Sequence, residues 1–134
     1  MKIGGSLIGG EGDYSGSISP WGGNRLITVR GSIIGGNGNQ SGAIIGGADL
    51  GAVKIGGSLL GGDGNFAGAI NVNAGIESVT IGGSVVGGTR FLAGSILAAR
   101  AIGLVKIGGD LIGGSIEGTE PALASAGYIQ AGRI

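Results

Sequence analysis

The chain has 134 residues, of which eight are basic and eight acidic, and it contains neither Cys nor His. This length suits one domain, and the zero net charge disfavours a nucleic-acid-binding protein, which needs a basic surface for phosphates. The missing Cys and His exclude disulfides and any site built on a thiol or an imidazole.

A short motif recurs along the chain with a constant 26-residue period. It begins at Lys2 and returns at Thr28, Lys54, Thr80 and Lys106. Repetition at this period is typical of stacked supersecondary units, each of which buries its apolar face against the next. We therefore predict one solenoid domain over residues 1–134, with units 2–27, 28–53, 54–79, 80–105 and 106–134.

Each unit begins with a short apolar alternation, as in Val79-Thr80-Ile81, which is typical of a β-strand with one buried face. Two more apolar positions follow, so that three short strands per unit can each pair with the same strand in the next unit. The inward columns are expected at Ile3, Leu7, Ile18 and Ile27 and at their equivalents. Because parallel crossovers are almost always right-handed, this pattern predicts an all-β, right-handed parallel β-helix of about five rungs, with Ile55 and Ile81 buried in adjacent rungs.

Glycines at fixed offsets, such as Gly5, Gly9, Gly10 and Gly16, separate the apolar columns and predict corners. One alternative fold stays open, a β-sandwich or propeller built from 26-residue hairpins. That fold would place antiparallel hairpin turns inside each unit.

The fifth unit departs from the period. Its pattern resumes at Gly127 and Ile129, which match Gly94 and Ile96 but come seven positions later than the repeat requires. We predict a seven-residue insertion within 115–125, in a corner loop, where insertions in repeat proteins fall.

Lys and Thr alternate at the second position of the units. Lys on every rung would bring like charges to roughly 5 Å, whereas alternation doubles this to roughly 10 Å. The wider spacing is comparable to the Debye length of about 8 Å at physiological salt. The alternation therefore predicts an outward column in which repulsion between rungs is reduced.

Residues 79–84 (VTIGGS) and 105–110 (VKIGGD), with Gly68-Ala69-Ile70 or Gly94-Ser95-Ile96 later in the unit, carry a resemblance. They resemble the Gly-rich 26-residue "VTIGGSLxGG…SGxI" repeats of large secreted or surface-attached bacterial proteins. The resemblance implies a β-solenoid array and an extracellular or cell-surface location, and it implies no chemistry. Arg30 departs from the pattern, because the other four units carry Gly there.

The turns that contain Glu11, Asp13 and Asp63 resemble the calcium-binding turns of β-roll repeats. The competing interpretation is an Asx turn with stacked side chains. Calcium takes six to eight oxygens, and the second unit offers only Asn37 and Asn39. We therefore favour the Asx turn and predict no metal-binding residues.

Catalytic residues are not predicted either. The carboxylates fall in mostly different columns, at Glu11, Asp13, Asp49, Asp63, Glu77 and Asp110. Glycan hydrolysis needs two carboxylates at working distance, so we predict that the chain is not an enzyme. A serine column, Ser6, Ser32, Ser58 and Ser84, lacks a histidine base and predicts a hydroxyl ladder. Another column, Tyr14, Gln40, Phe66 and Leu92, predicts apolar packing at a corner, with a sugar-stacking groove as the alternative.

Neither terminal unit shows the atypical polar sequence of a solenoid cap, so both terminal rungs are expected to be open. We predict a structural, self-assembling module, either a fibre subunit or a segment of a surface stalk, whose partner is a second copy, head to tail. The alternative is a carbohydrate-binding or carbohydrate-cleaving β-helix with a surface glycan as its partner. We expect no cofactor, no nucleic acid, no membrane insertion and no signal peptide, since glycine pairs interrupt the first apolar residues.

Overall fold

In the computed structural model, residues 1–20, 22, 25–115, 127 and 129–132 are described, and they form a coil of β-strands and corners. These described residues contain fourteen strands, numbered in chain order, which lie on three faces. The first face contains β1 (Lys2–Ile3), β3 (Leu26–Val29), β6 (Leu50–Ile55), β9 (Ile76–Ile81) and β12 (Ile102–Ile107). The second contains β2 (Leu7–Ile8), β4 (Ile33–Ile34), β7 (Leu59–Leu60), β10 (Val85–Val86) and β13 (Leu111–Ile112). The third contains β5 (Ile44–Gly46), β8 (Ile70–Val72), β11 (Ile96–Ala98) and β14 (Ile129–Ala131).

Every strand pair in the described part of the chain is parallel. Paired residues hold the same position in consecutive units, as Ile55 and Ile81 do. In the pair β11–β14 the register is kept across the longer fifth unit, with Ile96 opposite Ile129. The parallel β-solenoid is thus confirmed, and the antiparallel hairpins of the alternative fold are excluded. The right hand of the coil stays a prediction, and the insertion proposed within 115–125 lies, apart from Ser115, outside the described residues.

The number of turns is a correction, because the coil makes about four turns rather than five rungs on every face. Among the described residues, the third face has four strands, and the first unit contributes an isolated bridge between Ile18 and Ile44. The backbone amide of Ile18 donates a hydrogen bond to the carbonyl of Ala43 in the next unit. In a parallel pair, alternate residues donate to the same neighbouring strand. The next amide that would donate to this unit therefore belongs to Pro20. Proline has no N–H to donate, so the strand cannot extend there.

The core consists of aliphatic side chains stacked in columns along the coil axis. The largest fully buried side chains are Ile27, Ile33, Ile44, Ile55, Leu59, Ile70, Ile81, Ile96, Val29, Val53, Val72 and Val79. Ile55 and Ile81 are 2% and 1% exposed and lie directly opposite each other in register, which confirms the prediction for this pair. β-branched side chains suit such columns, because they pack well on a pleated surface.

Candidate functional site

Among the described residues, the inward columns are less buried at both ends of the coil than in its middle. We call β1, β2 and Ile18 the lower end rung, and β12, β13 and β14 the upper end rung. On the second face, Leu59 is 0% exposed whereas Leu111, the same residue type in the same column, is 50% exposed. The difference arises because β13 is an edge strand of its sheet, while β7 lies between two neighbours. The inward residues of the remaining end strands are also only partly buried, at Ile3, Leu7, Ile18, Val105, Ile107 and Ile129.

Backbone hydrogen bonds run in a fixed direction on the second face. The amides of Leu7, Ile33, Leu59 and Val85 donate to the carbonyls of Ser32, Ser58, Ser84 and Asp110 at 2.8–2.9 Å. Leu111 holds the equivalent position in the upper end rung. Because each rung repeats the one before it, the upper edge of the coil offers the same donors and acceptors that each inner rung offers to its neighbour. On this face, the backbone hydrogen-bonding groups of the two edge strands β2 and β13 are therefore complementary.

The serine column forms the predicted hydroxyl ladder. The Oγ atoms of Ser6, Ser32, Ser58 and Ser84 accept hydrogen bonds of 3.0 Å from the amides of Ser32, Ser58, Ser84 and Asp110. Each hydroxyl thus accepts a hydrogen bond from a backbone amide of the next rung, at the corner between the first and second faces. Asp110 replaces serine at the top of the column, so the residue at the next acceptor position carries a carboxylate instead of a hydroxyl.

A long corner joins the second face to the third, at residues 9–17, 35–43, 61–69 and 87–95. It holds a feature that sequence reasoning missed, a left-handed backbone at four residues that are not glycine. These are Tyr14, Gln40, Phe66 and Leu92, with φ of 59°, 53°, 56° and 55°. Such a conformation costs about 1–2 kcal/mol for an L-residue. The only signal in the sequence is the glycine column two residues later, which is also left-handed.

The side chains of this column change from exposed to packed along the coil. Tyr14 is exposed, and its hydroxyl accepts a hydrogen bond of 3.2 Å from Gln40 Nε2. Phe66 meets Phe91 edge to face, with ring centroids 5.5 Å apart, and Leu92 is buried. Apolar packing at a corner therefore describes the upper part of the column, whereas Tyr14 leaves its ring open to solvent.

Polar side chains on the long corner form ladders between rungs. Asp13 Oδ1 accepts a hydrogen bond of 2.8 Å from the backbone N–H of Asn39. Asn39 Oδ1 accepts one of 3.0 Å from the backbone N–H of Asn65. Asp63 Oδ1 accepts one of 2.7 Å from the Thr89 hydroxyl. Two of the three acids proposed for calcium are thus used within the coil, as in the stacked-turn interpretation. Among the described residues, no three His, Cys, Asp or Glu side chains form a group that could hold a metal ion.

We expect the fold to be independent of calcium. Because the carboxylates of Asp13 and Asp63 already accept hydrogen bonds from the next rung, EDTA should leave the far-ultraviolet circular dichroism spectrum and the Tm unchanged. Loss of the β-sheet signal on chelation, with recovery when Ca²⁺ is added back, would contradict this expectation.

The long corner also carries a polar cleft of about 230 Å³. It is lined by Asn37, Asn39, Asp63, Gly64, Asn65 and Arg90. A Cβ added at Gly64 would lie 2.1 Å from the carbonyl oxygen of Gly38, so only glycine permits the close stacking at this part of the cleft. Arg90 stands where the units below carry glycine.

The structure brings together three charged residues that hold different positions in the 26-residue unit. Asp49, Glu77 and Arg100 line one open groove beside the first face. Asp49 Oδ1 lies 4.0 Å from Arg100 Nη1, and both side chains are largely exposed. The same oxygen accepts a hydrogen bond of 2.7 Å from the Gly75 amide. An exposed pair of this kind contributes about 0–1 kcal/mol, so the arrangement is that of a surface ion pair tied to a corner.

Comparisons with protein-family models, with curated proteins and with solved structures found no match for this chain. Over the residues that the structure describes, no helix has the length and apolar character needed to cross a membrane. Function is therefore inferred from the chain's own end rungs and corners.

Proposed function

We propose that the chain is a structural, self-assembling β-solenoid module, a fibre subunit or a segment of a surface stalk, whose end rungs associate head to tail with another copy. The observation that supports this most is the exposure of the inward columns at the ends, where Leu111 is 50% exposed against 0% for Leu59. A second copy fits best, because its β2 would pair with β13 as β13 pairs with β10.

The size of the contact indicates its strength. Across the junction, eight inward side chains would meet, namely Met1, Ile3, Leu7 and Ile18 below and Val105, Ile107, Leu111 and Ile129 above. Met1 and Leu111 are about half exposed and the other six are partly buried. At about 1 kcal/mol for a half-exposed side chain and about 0.5 kcal/mol for a partly buried one, their burial would contribute about 5 kcal/mol. Lost translational and rotational freedom costs about 4–15 kcal/mol. We therefore expect reversible association that depends on protein concentration.

The proposed module acts outside the cell or on its surface. This location is supported by the resemblance of the repeats to those of secreted and surface-attached bacterial proteins. A stalk or fibre also suits the chemistry described above, since the serine and carboxylate side chains are used largely as acceptors between rungs.

The test is a charge placed in the open column. We expect Leu111→Lys to abolish end-to-end association, because it puts an ammonium into the contact, while the fold survives at a position that is already half exposed. Sedimentation velocity over a concentration series and electron microscopy would measure association, and circular dichroism would check the fold.

Leu104→Lys is the matched control. Leu104 lies in the upper end rung too, but it points outward, in register with Ser78 and Ala52. At about 1 M salt, where the added charge is screened, we expect this variant to associate like the wild type. A wild-type chain that stays monomeric at every concentration, or a folded Leu111→Lys variant that associates as well as Leu104→Lys, would contradict the proposed function.

A second candidate function is carbohydrate binding, and the polar cleft on the long corner favours it. Amide and carboxylate side chains are suitable partners for sugar hydroxyls, and the rings of Phe66 and Phe91 lie on the same corner. A glycan array would test it, with Asn37→Ala in the cleft and Asn73→Ala, an exposed residue on another face, as its control. Binding that only Asn37→Ala removes would support this function, and the absence of any bound glycan would reject it.

A further inference from the structure

The alternating column of Lys and Thr is in register from rung to rung. Lys2 pairs with Thr28, Thr28 with Lys54, Lys54 with Thr80, and Thr80 with Lys106. All three lysines are exposed. Within the chain, every lysine therefore has a neutral threonine as its neighbour in the adjacent rung.

The first face has five described strands, an odd number, so the alternation places a lysine on each of its two edge strands. If a second copy adds in the register of the inner rungs, its Lys2 lies next to Lys106 of the first copy. The two lysines would be one rung apart, roughly 5 Å, instead of two rungs, roughly 10 Å. The junction is thus the single place in the assembled column where like charges occupy neighbouring rungs.

Asp110 is a second charged residue near the upper edge of the first face, but it lies in a different column from Lys106. Asp110 is separated from Lys106 by the glycine corner and stands at the top of the serine ladder, in the column of Ser6. Its carboxylate is therefore placed to accept the Ser6 amide of a second copy, as each serine accepts the amide above it. This contact favours the same register that brings the two lysines together.

We propose that the head-to-tail contact is regulated by ionic strength through the repulsion between Lys106 of one copy and Lys2 of the next. The proposal rests on the end-to-end association put forward above as the function. At low salt the unscreened pair weakens the junction, and at high salt the apolar columns and the backbone ladders associate without opposition. The chain thereby associates more tightly in a salt-rich medium than in a dilute one.

The test compares two substitutions that make the same charge change. Lys2→Thr removes the repulsion at the junction, whereas Lys54→Thr removes a lysine from the same column between two threonines. Association constants would be measured by sedimentation equilibrium at about 0.01 M and about 1 M salt, where the Debye length is about 30 Å and about 3 Å. This range separates screening of the lysine pair from the general effect of salt on apolar contacts, because Lys54→Thr reports the latter.

At low salt, we expect Lys2→Thr to raise the association constant about three- to tenfold over wild type, with Lys54→Thr unchanged. Lys106→Thr should match Lys2→Thr, and combining the two should add little, since either removes the same pair. At high salt the variants should converge. Association of all variants with equal constants at low salt would overturn the charge regulation and leave the proposed function standing. No association of any variant in either salt would overturn both.

Discussion

Replacing Gly68 by Ala should destabilise the solenoid by about 3–5 kcal/mol. Gly68 has φ of +64°, and a Cβ built there would lie 1.9 Å from the carbonyl oxygen of Leu60. Both the left-handed backbone and the approach of that carbonyl exclude a side chain, and the neighbouring rungs leave the backbone no room to move. Equilibrium unfolding in urea would measure the loss in the free energy of unfolding.

Gly5→Ala is the control for this prediction. No atom lies within 4 Å of a Cβ added at Gly5, so we expect the free energy of unfolding to change by no more than about 0.5 kcal/mol. If Gly68→Ala proved as stable as Gly5→Ala, the described geometry of the long corner would be wrong.

Truncating Ile81 to Ala should destabilise the chain by about 2–5 kcal/mol. Ile81 is 1% exposed and is stacked between Ile55 and Ile107 in the inward column of the first face. The substitution leaves a cavity that the rungs on either side cannot close, because their strands are held at a fixed spacing by backbone hydrogen bonds. Urea unfolding would again provide the measurement.

The same column supplies the control. Ile107 lies in the upper end rung and is only partly buried, so Ile107→Ala should cost less than half as much as Ile81→Ala in a monomeric sample. Equal losses for the two variants would show that the upper rung is covered in solution. In that case the comparison should be repeated in Leu111→Lys, which is expected to be monomeric.

The corners were harder to predict than the strands. The sequence placed the turn at residues such as Glu11 and Asp13, yet the left-handed backbone lies one residue later, at Tyr14, where no residue preference indicates it. Conformational propensity favours Gly or Asn at positive φ. A bulky residue therefore adopts this conformation only because the stacked corners of adjacent rungs require it. The convergence of Asp49, Glu77 and Arg100 on one groove was missed for a related reason, since it depends on how the third face turns into the first.

The amino-acid sequence by itself determined the repeat length, the parallel register, the inward columns and the serine ladder. It could do so because in a stacked coil the neighbours of each residue are its own equivalents one repeat away, and the constant period therefore states the contacts directly. Only the tertiary structure decided the conformation of the long corner, the loss of a strand at Pro20 and the exposure of Leu111. These features depend on the direction of the backbone hydrogen bonds and on whether a rung has a neighbour on both sides. A repeated residue type at one position of the unit indicates neither.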